Sequence, residues 1–309
     1  MAKITMVGAG NVGATAVQHI AQRELCEELV LIDVIEGLPQ GKALDMWESA
    51  PLFGSDTHVR GSNRMADMED SDLVLITAGL ARKPGMSRSD LLDKNAEIMR
   101  SIVQNVVKYA SDAIIMVVTN PLDVMTYLAW RVSGFGKERI IGMAGVLDSA
   151  RLRSFVAMEL GVSVKETQAL VLGGHGDSMV PLPQYTTVAG IPITQLMDAV
   201  TIENLVARTR KAGGEIVELL RAGSAYYSPG ASLAEMVEAV MKNKKQILPC
   251  AAILSGEYGL SDMCAGVPVV LGRWGIEKIV EISLASSELE ALRKSAEEVR
   301  KDISRLNLP

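Results

Sequence analysis

The chain has 309 residues, a formal net charge of −6 and 48% hydrophobic residues, of which few are aromatic. That is enough for one large or two ordinary domains with aliphatic cores, and the negative balance argues against nucleic acid, whose affinity rests on Lys and Arg neutralising phosphates. No apolar run is long enough to cross a bilayer, so no membrane association is expected.

Taken in chain order, residues 4–7, 29–32, 73–76 and 114–118 read as short buried strands, with weaker ones near 58–59 and 140–141. Residues 12–22, 91–109 and 122–132 carry helical spacing between them. This alternation predicts an α/β fold: an N-terminal Rossmann domain, a doubly wound parallel sheet with helices on both faces. The pattern changes near Gly145, so the chain divides into 1–145 and 146–309. The second part reads as an α+β substrate-binding and catalytic domain. It has helices at 149–160, 202–220, 233–242 and 284–306, and strands at 167–172, 185–189, 249–258 and 267–271. The first apolar run begins at residue 4, so no leader is expected. Cys26, Cys250 and Cys264 show no metal-ligand spacing, so no metal is expected. A reduced, cytoplasmic setting fits that cysteine usage.

Gly8-Ala9-Gly10-Asn11-Val12-Gly13 has the G-x-G-x-x-G spacing, a weak signal alone. Here it directly follows a strand and opens a helix, the context a dinucleotide requires. Gly8 permits the tight turn, Gly10 lets the backbone approach a pyrophosphate, and Gly13 lets the helix sit close to the strand. The free N–H groups of the helix start then face the phosphates. Asp33 ends the second strand. It serves either as a turn residue or as the acid that binds the adenosine ribose hydroxyls. The second role would repel a 2′-phosphate, which selects NAD over NADP.

Of three histidines, His19 falls inside a helix and His58 has no motif around it, whereas His175 sits in Gly173-Gly174-His175-Gly176-Asp177 after an apolar strand. Oxidising a secondary alcohol releases a hydride and a proton, and an imidazole can take the proton near neutral pH. Asp148 is the expected orienter of His175, with a helix N-cap as its plainer role. Arg151, three residues on, shares a helix face with Asp148 and can grip a carboxylate through two hydrogen bonds, while Arg153 is expected to face solvent. Arg82 and Arg88 lie in a Pro- and Gly-containing segment after the third main strand. They read either as a basic surface loop or as a lid bringing charge over an anionic substrate. Asn120, before Pro121, either starts a turn or bonds the substrate oxygen. Together these residues point to hydride transfer on a hydroxy-dicarboxylic acid.

As an ordered set, these motifs resemble the lactate and malate dehydrogenase family over nearly the whole chain. The set includes Thr77-Ala78-Gly79, Val118-Thr119-Asn120-Pro121 and Leu147-Asp148-Ser149-Ala150-Arg151. The glycine loop is similar to that of the lactate-dehydrogenase-like branch. The resemblance implies that His175 is the proton donor and acceptor, Asp148 its partner, Arg151 the carboxylate clamp and Arg88 the group that polarises the C2 carbonyl. It implies cofactor contacts from residues 8–13, Asp33, Asn95, Val118, Thr119 and Asn120, with Asn120 also touching substrate. Lactate enzymes of the family carry glutamine where this chain has Arg82, and malate enzymes carry arginine. Arg82 therefore implies a second substrate carboxylate. Another 2-hydroxyacid dehydrogenase, lactate-specific included, is the alternative, and a non-catalytic NAD-binding sensor a more distant one. The family forms homodimers or homotetramers, and a tetramer is expected here.

Overall fold

The computed structural model of the chain describes residues 2–80, 88–306 and 308. Its first half runs β1 (Lys3–Val7), α1 (Asn11–Gln22), β2 (Glu28–Ile32), α2 (Leu38–Phe53), β3 (His58–Ser62), β4 (Leu73–Ile76), α3 (Arg88–Tyr109), β5 (Ile114–Val117), α4 (Leu122–Ser133) and β6 (Ile140–Gly142). These strands pair in parallel in the order β3-β2-β1-β4-β5-β6. The inner strands β4 and β5 are apolar throughout because both faces are covered: in β4, Leu73 and Leu75 enter one core, Val74 and Ile76 the other. From α1, Ala16, Val17 and Ile20 fill the first core, and Met99 of α3 and Met125 of α4 fill the second. The doubly wound Rossmann sheet expected from the sequence is present, and its order reverses between β1 and β4, where ligands of such sheets bind.

The second half begins with α5 (Gly145–Leu160), then the short strands β7 (Thr167–Gln168), β8 (Val171–Leu172), β9 (Val180–Pro181), β10 (Thr187–Val188) and β11 (Ile191–Pro192). Next come α6 (Ala199–Leu220), α7 (Tyr227–Met241), β12 (Gln246–Ser255), β13 (Ser261–Gly272), β14 (Gly275–Ile279) and α8 (Ser286–Ile303). The antiparallel ribbon β12-β13-β14 meets β6 with Ala251 opposite Gly142, so a single nine-stranded sheet passes through both halves. The approach is close: a Cβ on Gly142 would lie 2.8 Å from the Ala251 Cβ.

Several elements differ from the sequence expectation. The expected strand at 167–172 is two strands with different partners, since β7 pairs with β10 and β8 with β9. The expected strand at 185–189 contracts to β10, β12 starts and ends three residues earlier than expected, and β13 is longer than expected. Helix α2 was not anticipated. Leu44, Leu52 and Phe53 are exposed, Ala43 is buried and Pro51 lies inside it, so no apolar stripe marks it.

Candidate active site

The candidate residues gather where β1, β2, β4, β5 and β6 end. The β1–α1 turn holds the glycine loop. A Cβ on Gly8 (φ +116°) would lie 2.6 Å from the Ala78 nitrogen, and one on Gly13 2.0 Å from the Gly8 oxygen, so both are required by packing. Gly10 differs, with nothing within 4 Å of its Cβ position. It caps α1 with no side-chain hydrogen bond, so the first-turn N–H groups stay free for an anion. Asp33 follows β2, and its Oδ2 accepts from the Ala9 N–H at 2.7 Å and its Oδ1 from the Ile35 N–H at 3.0 Å. Asp33 thus closes its own turn and anchors the glycine loop. Lys42, which the sequence did not single out, donates from Nζ to the Ala9 carbonyl at 2.7 Å. An open, cation-flanked turn at a helix start with an acid beside it fits a dinucleotide.

Beyond β4 and β5, the Thr119 hydroxyl donates to the Ala78 carbonyl at 2.7 Å, and Val118 is half-buried. Asn95 is buried under this edge. Its Oδ1 accepts from the Leu80 N–H at 2.8 Å and its Nδ2 donates to the Asn120 carbonyl at 2.8 Å. It braces the two strand ends from below, and Asn120 itself is exposed above them. Arg82 lies outside the described residues. So does the side chain of Arg88, whose backbone opens α3.

His175 follows β8 in a loop tied down residue by residue. Gly173 and Gly266 exchange backbone hydrogen bonds at 2.9 and 3.1 Å. The Gly174 N–H donates to Ser295 Oγ of α8 at 2.8 Å, and the His175 N–H to Asp123 Oδ2 of α4 at 2.8 Å. The ring Nδ1 stands 2.8 Å from Asp148 Oδ2, and Arg151 Nη1 donates to Asp148 Oδ1 at 3.1 Å. Asp148 is 1% exposed.

Helix α5 starts at Gly145 with Ala144 as its N-cap, so Asp148 lies inside the first turn and does not cap the helix. Asp177, two residues past His175, is exposed. Arg153 does not face solvent freely: it is half-buried and donates from Nε to the Thr167 carbonyl at 2.7 Å. The expected helix face holds for Arg151, whose Nε is buried without a hydrogen-bond partner among the described residues. His58 sits on edge strand β3 with its ring edge-on to Trp47, and His19 is half-buried in α1.

Burial would push the His175 imidazole below its ordinary value. The charge and hydrogen bond of Asp148, with the charge of Asp123 added, outweigh both burial and the opposing Arg151, and hold it above that value. Asp123 is itself pushed up to about 6 by burial, against the His175 N–H bond that favours its charged form. Sequence reasoning missed Asp123 and Ser295. Asp123 reads as an ordinary acid in the first turn of a helix, and Ser295 reaches the loop from 121 residues away.

Sheet, open phosphate turn and imidazole–carboxylate pair are together those of a dinucleotide-dependent dehydrogenase. Residues 2–142 match the lactate/malate dehydrogenase NAD binding domain, and residues 145–307 match the alpha/beta C-terminal domain of the same enzymes. The chain belongs to the lactate/malate dehydrogenase family, and its cofactor is NAD. It is 57% identical over 304 residues to a malate dehydrogenase of Chlorobium limicola, covering 98% of each chain. The structure of malate dehydrogenase from Salinibacter ruber superposes with a TM-score of 0.94 at 53% identity, covering 98% of this chain and 96% of that one. A lactate dehydrogenase from Cryptosporidium parvum, solved with lactic acid and nicotinamide adenine dinucleotide, superposes with a TM-score of 0.95 at 40% identity, covering 100% of this chain and 99% of that one.

Proposed function

We propose that the chain is an NAD-dependent malate dehydrogenase that interconverts (S)-malate and oxaloacetate. One observation carries the chemistry: the Asp148 carboxylate is shared between His175 Nδ1 and Arg151 Nη1. An anionic Asp148 accepts from Nδ1, so Nδ1 keeps its proton and Nε2 is the nitrogen that exchanges with substrate. In the oxidative direction Nε2 takes the hydroxyl proton of malate. In the reductive direction the imidazolium returns it to oxaloacetate. NAD, when bound, accepts the hydride from C2.

Arg151, anchored by Asp148 and with Nε to spare, receives the C1 carboxylate. Asn120 bonds the C2 oxygen, and Arg88 polarises it. Residues 8–13, Asp33, Val118 and Thr119 form the cofactor face, with Asn95 bracing it from below. Arg82 pairs with the second carboxylate. Lactate and malate enzymes both superpose on this chain, so the overall fold does not choose between substrates. The charge of Arg82 does, since left unpaired in a closed site it disfavours a monoanion. Relatives named malate dehydrogenase support the same choice.

Steady-state kcat/KM with oxaloacetate, pyruvate, NADH and NADPH tests the reading. Oxaloacetate with NADH is expected to dominate, and Arg82→Gln to lower turnover of oxaloacetate far more than of pyruvate. Preference of the unaltered enzyme for pyruvate overturns the substrate assignment. The reading extends to a cytoplasmic homo-oligomer, a tetramer by preference. Three buried free thiols suit a reducing compartment, and exposed Leu44, Trp47, Leu52 and Phe53 of α2 suit a subunit contact.

A further inference from the structure

We infer that Asp123 is a second positioning carboxylate of the active site, one that fixes the main chain of His175 and sets the field in which the imidazole exchanges its proton. The inference rests on the reading of His175 as the proton carrier. Asp123 lies in the first turn of α4 and is 4% exposed. Its Oδ2 accepts the His175 N–H, and its Oδ1 is buried with no hydrogen-bond partner among the described residues.

A backbone acceptor alone does not need a carboxylate there, because an asparagine of the same shape would accept the same N–H without burying a charge. The charge is also unspent. Among the described residues no Lys or Arg forms an ion pair with it, so it acts through a low-dielectric interior on what lies nearby. Among the described residues, the titratable groups that act on it or feel it are the His175 imidazole from the β8 loop, Asp148 from α5, and the buried Cys264 thiol from β13. Of these, the imidazole is the group that changes charge during turnover. The N-terminus of α4 helps to hold an anion at this position. Asp123 stands three residues past Asn120, so one hydrogen bond ties the substrate-facing β5 edge to the catalytic loop of the second half.

The imidazolium needed to reduce oxaloacetate is lost as pH rises, and the position of that alkaline limb reports the field around the ring. Asp123→Asn keeps the acceptor and removes the charge, and Asp123→Ser removes the charge with a smaller side chain. In both, the limb of kcat/KM for oxaloacetate should move down by about one pH unit, with turnover at pH 8 falling about tenfold. NADH affinity, read by fluorescence titration, should stay unchanged. A limb that keeps its position in either folded variant overturns the inference. Failure of both variants to fold also overturns it, because the charge would then serve the fold and not the imidazole. His175→Asn, run in parallel, should abolish the limb. If the limb persists there, the reading of His175 fails, separately from that of Asp123.

Discussion

Asp148 serves two donors at once, and the sharing has a pH signature. With the folded His175 value held above 6.5, kcat/KM for malate should rise through an apparent value above 6.5, and kcat/KM for oxaloacetate should fall over the same window. Asp148→Asn removes the largest influence raising the imidazole, so both limbs should move to lower pH, with turnover reduced by about 10²-fold or more. Limbs that stay in place would show that Asp148 orients the ring without affecting its charge. Stability follows the same groups. A raised His175 contributes stability below 6.5 that disappears as pH climbs through its folded value. Asp123, raised from 3.8 to about 6, binds its proton more tightly when folded, so stability declines as pH rises through that interval. Its ionised form costs on the order of 3 kcal/mol at neutral pH. Asp123→Asn should therefore gain stability over the unaltered chain at pH 8 and lose the advantage near pH 4, measured by urea denaturation at both pH values. A variant less stable at pH 8 would mean that the charge strengthens the His175 N–H bond by more than its burial costs.

At the scale of elements, α6 carries two consecutive glycines where a helix interior disfavours them by about 1 kcal/mol each. Gly213 faces Arg151: a Cβ there would lie 3.7 Å from Arg151 Nη2, an ordinary contact that leaves room for a methyl group. Gly213→Ala should fit and raise Tm modestly, whereas Gly213→Leu should push on the guanidinium and raise the KM for oxaloacetate with little change in NADH affinity. An unchanged KM in Gly213→Leu would remove α6 from the wall of the substrate site. Elements whose cues are local were legible in the sequence. The glycine loop is bounded by a strand and a helix, and β4 and β5 are continuous apolar runs. The site was legible in its residue types and less so in its pairings. The expected orienter Asp148 does stand beside the His175 ring although it lies 27 residues back, while Asp177, two residues on, is exposed. Such a pairing is set by where α5 meets the β8 loop, and no spacing in the chain encodes it. Asp123 was missed for the same reason, since a buried acid and a capping acid look alike until the neighbouring loop is placed.

At the scale of the whole molecule, the two halves share their interior. Ile4 and Met6 of β1 lie in one cluster with Leu233 and Val237 of α7 and Val267 of β13, and Ile253 of β12 joins the cluster of Val74 and Met125. Helix α7 packs on α1 so closely that a Cβ on Gly230 would lie 2.7 Å from the Thr15 Cγ2. The His175 loop is tied to both halves, to α4 through Asp123 and to α8 through Ser295. Neither half can open without exposing apolar surface of the other, so unfolding should be one cooperative transition. NADH binds in the first half, which matches the NAD binding domain of the family. At about one hundred times its Kd it should stabilise the entire chain by about 2.7 kcal/mol and shift a single calorimetric peak upward at fixed protein concentration. Two peaks, with only the first moving on addition of NADH, would mean that the sheet passes through both halves without coupling them.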